Sequence, residues 1–110
     1  MKYEQLNSVF VIYSRHGWTL RRILTRKERL EDVRERGGVE VFESDIDAAW
    51  FSRQSKPGVT TWEIRSLEGD QYALCTSIPD DCEVSEAEGI LFELEEKMRE
   101  RSKSGSSDST

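Results

Sequence analysis

The stretch from Ile46 to Ile78, IDAAWFSRQSKPGVTTWEIRSLEGDQYALCTSI, constrains the fold most, because two turns of definite chemistry divide it into three strand-like runs. In Lys56-Pro57-Gly58-Val59 the proline presets φ at the first central position of a type II turn, and the glycine supplies the positive φ needed at the second. The next turn, Glu68-Gly69-Asp70, can close as a three-residue or a two-residue loop. With three loop residues, Tyr72 faces Ser66, Leu74 faces Ile64, Thr76 faces Trp62 and Ile78 faces Thr60, which gathers the large apolar groups. The shorter loop pairs Leu74 with Arg65 and scatters them over both faces, so the first register is preferred. Carried back across the proline turn, the same ladder sets Phe51 opposite Trp62 and Ala49 opposite Ile64.

That register predicts one apolar face of Ala49, Phe51, Trp62, Ile64, Tyr72, Leu74 and Ile78. The other face then carries Ile46, Ala48 and Trp50 beside Thr61, Glu63, Arg65 and Leu67, and Ala73, Cys75 and Ser77. An accessible tryptophan among small residues is a candidate contact site, since aromatic anchors dominate interface energetics. Trp50, Ala48 and Cys75, edged by Glu63 and Arg65, are therefore the expected partner-binding residues. The competing expectation is that the chain covers Trp50 itself.

Before this stretch, Ser8 to Ser14 reads as a strand entering a hairpin at Arg15-His16-Gly17, with Ser14 facing Trp18 and Ile12 facing Leu20. Phe10, Ile12, Trp18, Leu20 and Leu24 then point inward, with Arg22 snorkelling past the edge, while Val9, Val11, Tyr13, Arg21 and Ile23 line the other side. A sheet apolar on both faces must be covered twice. Thr25 with Glu28 forms a capping-box pattern for a helix from Arg26 to Arg36, which the pair Gly37-Gly38 stops. Only Leu30 and Val33 give that helix an apolar stripe. About eleven residues make ~16 Å of helix, whereas five strands span ~19 Å between outer axes. Part of the second face is therefore expected to stay open.

The closing helix is plainer. Ser85 with Glu88 is a second capping box, and Ala87, Ile90, Leu91, Leu94 and Met98 recur at helical spacing as one buried stripe. Glu95 and Arg99 are placed for an i,i+4 pair, and Gly89 suggests close approach to a ring such as Trp62. Residues 102–110, SKSGSSDST, lack anything to bury and read as a disordered tail after a single domain over residues 1–101.

The chemistry-bearing residues are few. His16, the single histidine, sits in a turn with neither an orienting group nor a nucleophile beside it in sequence. Asp45 and Asp47 share a strand face without a calcium-loop continuation and read as a solvated strand entry, and the two cysteines, Cys75 and Cys82, have no zinc spacing. No nucleotide-binding or nucleophile-elbow motif occurs. The expectation is a protein that is not an enzyme and needs no cofactor or metal. No apolar run approaches the ~20 residues of a membrane span and no signal-peptide pattern is present, which points to a soluble, non-secreted chain with free thiols.

Charge is uneven beneath the net −6: residues 15–36 hold eight basic and four acidic groups, while residues 80–96 hold eight acidic and no basic ones. Arg15, Trp18, Arg21, Arg22, Arg26, Lys27 and Arg29 are the candidate nucleic-acid contacts, because arginines beside an aromatic can bind phosphate and stack on bases. Glu28, Glu31, Asp32 and Glu35 dilute that field, as on an ordinary exposed helix.

The runs YSRHGWTLRRIL and IDAAWFSR followed by WEIRSL resemble sequence found in small uncharacterised bacterial proteins. The resemblance implies a bacterial cytoplasmic protein and carries no activity, ligand or site residue.

Taken together these features predict an α+β fold: a hairpin, a short helix and a three-stranded meander forming a five-stranded, mostly antiparallel sheet, with a long C-terminal helix across one face. The leading functional expectation is a non-catalytic module that binds a protein or itself around Trp50. The alternatives are a small-ligand pocket between helix and sheet lined by Trp18, Trp62 and Tyr72, and nucleic-acid binding through residues 15–36.

Overall fold

The computed structural model describes residues 3–34, 39–68 and 72–107 of the chain. Helix α1 (Tyr3–Arg15) leads into strand β1 (Thr19–Thr25), a 3-10 turn (Lys27–Arg29) and the short helix α2 (Leu30–Arg34). Strands β2 (Glu40–Glu43), β3 (Ala48–Lys56), β4 (Val59–Ser66) and β5 (Ala73–Pro79) follow, and α3 (Val84–Ser107) closes the chain. The five strands form one sheet in the order β2-β1-β3-β4-β5. Only β1 and β2 run parallel. The fold is α+β with a mostly antiparallel sheet.

The first departure from the sequence reading is α1, which replaces the expected strand and its hairpin. Val9, Phe10 and Tyr13 all pack into the core beneath it, a helical spacing that the β-branched content of the run conceals. Gly17, at φ +83°, still supplies left-handed backbone, but as the stop of a helix. The Gly17 and Trp18 N–H groups bond to the carbonyls of Ser14 (3.1 Å) and Tyr13 (3.0 Å), which is a Schellman ending. Trp18 closes it by packing on the Tyr13 ring, 5.9 Å between centroids. Strand β1 is thereby freed to pair with β2 and β3 instead of with residues 8–14.

The second departure is a register. The proline turn forms as expected, with Gly58 at φ +80°, but Lys56 pairs with Val59 while Gln54 pairs with Thr60, so Ser55 is extra. A type II turn twists against the natural twist of a hairpin, and a bulge relieves the mismatch. Beyond it Trp50 faces Ile64 and Ser52 faces Trp62, one residue away from the expected ladder. A one-residue slip sends every side chain to the opposite face. Trp50 and Ala48 therefore lie under α3, and Ala49 and Phe51 lie under α1. The β4–β5 register is the expected one, with Ile64 facing Leu74 and Trp62 facing Thr76.

A second bulge, at Arg21 in β1, sorts that strand likewise: Leu20 lies against Phe51, while Arg22 lies against Trp50. The sheet is thus covered twice. On one face, Leu24, Ile46, Ala48, Trp50, Ile64 and Ile78 pack against Leu91, Leu94 and Met98 of α3, with Ala87 and Ile90 partly buried beside them. On the other, Ile23, Ala49, Phe51 and Leu67 pack against Tyr13 of α1 and Val33 of α2. Tyr13 stacks on Phe51 at 4.0 Å and Phe10 meets it edge-on at 5.9 Å.

Polar ties join the layers. Arg22 lies on the α3 face, and its guanidinium, expected to snorkel past the sheet edge, grips Glu88 of α3 instead, with Nη2 donating to Oε1 at 2.8 Å. The Trp50 indole N–H donates to Glu95 Oε1 at 2.7 Å. Arg99 turns from the expected Glu95 to Asp45 (2.9 Å) and Glu96 (2.7 Å). Partial desolvation acts upward on the Asp45 carboxyl, but Arg99 holds it below the usual range.

Five local readings also change. Thr25 is the end of β1 and not a helix cap: its hydroxyl donates to Asp47 Oδ1 at 2.9 Å. Asp47, expected at a solvated position, is buried and also accepts the Arg26 backbone N–H (3.1 Å) and Arg29 Nη1, so it caps the 3-10 turn from across the sheet. Gly89 faces open space, with no ring near it, and α3 begins at Val84, one residue before Ser85. Helix α3 runs to Ser107, into the segment 102–110 expected as a disordered tail. The rest of that segment, the Gly37-Gly38 stop and Gly69-Asp70 of the second turn lie outside the described residues.

Candidate functional site

The coverage is unequal along the sheet. Helix α1 lies over β1 and β3, and its last turn reaches β4 through the Tyr13 hydroxyl, which donates to Glu63 Oε2. Burial and the Glu63 carboxylate push that hydroxyl up to about 12, against a smaller opposing effect of Arg65. Beyond Glu63 the face opens. Ala73, Cys75 and Ser77 of β5 are all exposed on it, with Glu63 opposite Cys75 and Arg65 opposite Ala73. The Arg65 Nε is buried with no hydrogen-bond partner among the described residues, and Thr61 and Ser77 share a hydroxyl contact of 3.1 Å.

Strand β5 is also an edge of the sheet. The Ser66 N–H bonds to the Tyr72 carbonyl at 2.8 Å, which identifies the pairs that exchange bonds with β4. Alternation along an antiparallel ladder then turns the N–H and C=O groups of Ala73, Cys75 and Ser77 outward. The run Ala73–Ile78 contains no charged residue and no proline. The opposite edge, β2, is four residues long and carries Glu40 and Glu43, which discourages further pairing. Cys75 and Cys82 are both free thiols, and partial burial together with Glu86, Asp81 and Glu83 pushes the Cys82 thiol up.

Of the expected partner-binding residues, the structure leaves Cys75 exposed and Glu63 and Arg65 half-buried on one face. It removes Trp50 and Ala48, each 0% exposed, to the core beneath α3. No contact surface centred on Trp50 exists. The open edge was missed, although the uncharged ALCTSI run is its visible signal.

The candidate nucleic-acid residues do not form a stripe. Arg22 is tied to Glu88, Arg26 to Glu68 and Arg29 to Asp47, on different sides of the sheet. Arg21 Nε donates to the Ser52 hydroxyl at 2.7 Å, and Trp18 packs in the core under Arg53, whose guanidinium lies 5.1 Å from the ring centroid. Arg15 and Lys27 are exposed. The expected ligand pocket also dissolves, because Trp18 belongs to the α1 side while Trp62 and Tyr72 belong to the α3 side. Trp62 does line an open groove of about 220 Å³ at the start of α3, with Ile78, Cys82 and Leu91.

His16 is exposed at the end of α1, its carbonyl accepting from Arg53 at 2.9 Å. No group of three or more His, Cys, Asp or Glu side chains placed to hold a metal ion occurs among the described residues. No helix among them is long and apolar enough to cross a membrane. Comparison of the chain with protein-family models, curated proteins and solved structures finds no match.

Proposed function

We propose that this protein is a non-catalytic interaction module that takes a strand from a protein partner along the β5 edge. The contact then includes the adjoining face formed by Cys75, Ala73, Glu63 and Arg65. The observation that carries this reading is an uncharged, seven-residue edge strand whose outward side chains are small and exposed. Strand addition draws affinity from main-chain hydrogen bonds, and the exposed alternate side chains set its specificity. We further propose a bacterial cytoplasmic location, a reading supported by the two free thiols and the resemblance to bacterial sequences.

A photo-activated cross-linking side chain at Ser77, compared with one at Phe92 on the exposed side of α3, tests it in living cells. Adducts to protein are expected from position 77 and not from position 92. Equal yields from both, or none from 77, would remove the edge as the site.

A further inference from the structure

Resting on the edge reading above, we infer that the strand received by β5 is β5 of a second copy, antiparallel, with the two-fold axis at Cys75. The outward backbone groups at Ala73, Cys75 and Ser77 are symmetric about Cys75. An antiparallel copy sets Ala73 against Ser77 of the second copy and Cys75 against its own counterpart, closing about six main-chain hydrogen bonds. No bulky or charged side chain obstructs it, since Ala73, Cys75 and Ser77 are all small.

Charge selects the direction and the partner. At one end of β5, Arg101 lies over the Tyr72 ring, 4.3 Å from its centroid. At the other end, Asp80 is held on the α3 side by the Thr60 hydroxyl at 2.7 Å, and exposed Asp81 follows it. An antiparallel copy brings the basic end to the acidic end twice over, whereas a parallel copy sets like against like. On the α3 side, the half-buried Tyr72 and Leu74 come beside Ile78 and Thr76 of the second copy and lose solvent. The result is a closed two-fold pair with a continuous ten-stranded sheet, which removes one exposed edge from each copy.

The counterpart cysteines then stand ~5.5 Å apart at Cα, as in any hydrogen-bonded antiparallel pair, within the ~4.4–6.8 Å that a disulfide spans. The test uses the full chain with Cys82→Ser, which leaves Cys75 as its only thiol. Sedimentation equilibrium of the reduced protein is expected to show a reversible dimer, and mild copper-catalysed oxidation to convert it into a covalent one. In a Cys75→Ser, Cys82→Ser background, thiols introduced by Ser77→Cys lie ~13 Å apart. That variant is expected to dimerise reversibly without cross-linking. Cys75→Lys, which opposes two ammonium groups at the axis, is expected to be monomeric.

A reversible dimer that cross-links through Ser77→Cys and not through Cys75 has another register and overturns this inference, leaving the edge reading intact. A monomeric purified chain with adducts to a different protein from position 77 has the same effect. A monomer with no adduct overturns both.

Discussion

Strands β3 and β5 belong to the same sheet and are separated only by β4, yet five consecutive residues of β3, Ala48–Ser52, are buried, while β5 alternates until Ile78. In β3 each face receives one small and one large residue: Ala48 and Trp50 under α3, Ala49 and Phe51 under α1. Each alanine shares its cluster with the ring on its own face and with residues of the covering helix. In β5 the face toward α3 carries Leu74, Thr76 and Ile78, while the other carries exposed Ala73, Cys75 and Ser77. The difference teaches that α1 and α2 cover one end of the sheet, and that the strand left outside their reach keeps an open face and an open edge together.

The comparison breaks most readily at Trp50. Trp50→Ala should destabilise the fold by about 3–5 kcal/mol, the usual cost of emptying a large aromatic site, because the ring is wholly buried and its N–H leaves Glu95 without a donor. Denaturant unfolding of dilute protein measures it. A loss no greater than that of a β5 surface variant would mean that β3 is not the centre of the core. Asp47→Ala should cost about 2 kcal/mol, in the range for hydrogen bonds to a charged group, since three donors converge on that buried carboxylate at the start of β3. Here too unfolding reports the loss, and hydrogen exchange should locate it at residues 26–34.

A smaller effect sharpens the boundary between covered and open faces. Tyr13, whose hydroxyl is pushed up to about 12, keeps its proton in the folded chain while an unfolded tyrosine releases one near 10. Its contribution is therefore complete below about pH 10 and is lost as pH rises through about 12. Stability over that window should fall more steeply for the natural chain than for Tyr13→Phe. Identical slopes would show that α1 does not seal the Glu63 site. Smallest of all, Cys75→Lys should change the stability of the isolated monomer by no more than ~0.5 kcal/mol, as surface substitutions do, although it abolishes pairing. A large loss would place Cys75 inside the core and close the comparison.

Much of this architecture was legible in local chemistry. The proline turn, the β4–β5 register, the α3 stripe and the left-handed Gly17 each follow from a few adjacent residues, whose φ preferences or spacing admit one arrangement. The helix of α1 was legible in principle from Val9, Phe10 and Tyr13, but valine, isoleucine and tyrosine also favour strands, and a short apolar run carries both periods. Two bulges were not legible at all. Ser55 and Arg21 have no side-chain feature that marks them as extra residues, and their looping out depends on strand twist and on which neighbours each strand finds.

The sequence by itself determined the class of fold, the meander, the long helix and the uncharged character of β5, because these rest on turn chemistry, periodicity and composition read within a few residues. The tertiary structure alone decided where Trp50 points, since a one-residue bulge reverses both faces of β3 at little local cost and only the competing covers of α1 and α3 select between them. For the same reason it alone decided that the exposed surface falls at Cys75: which strand becomes the edge is a property of the strand order, and that order is set by long-range pairing.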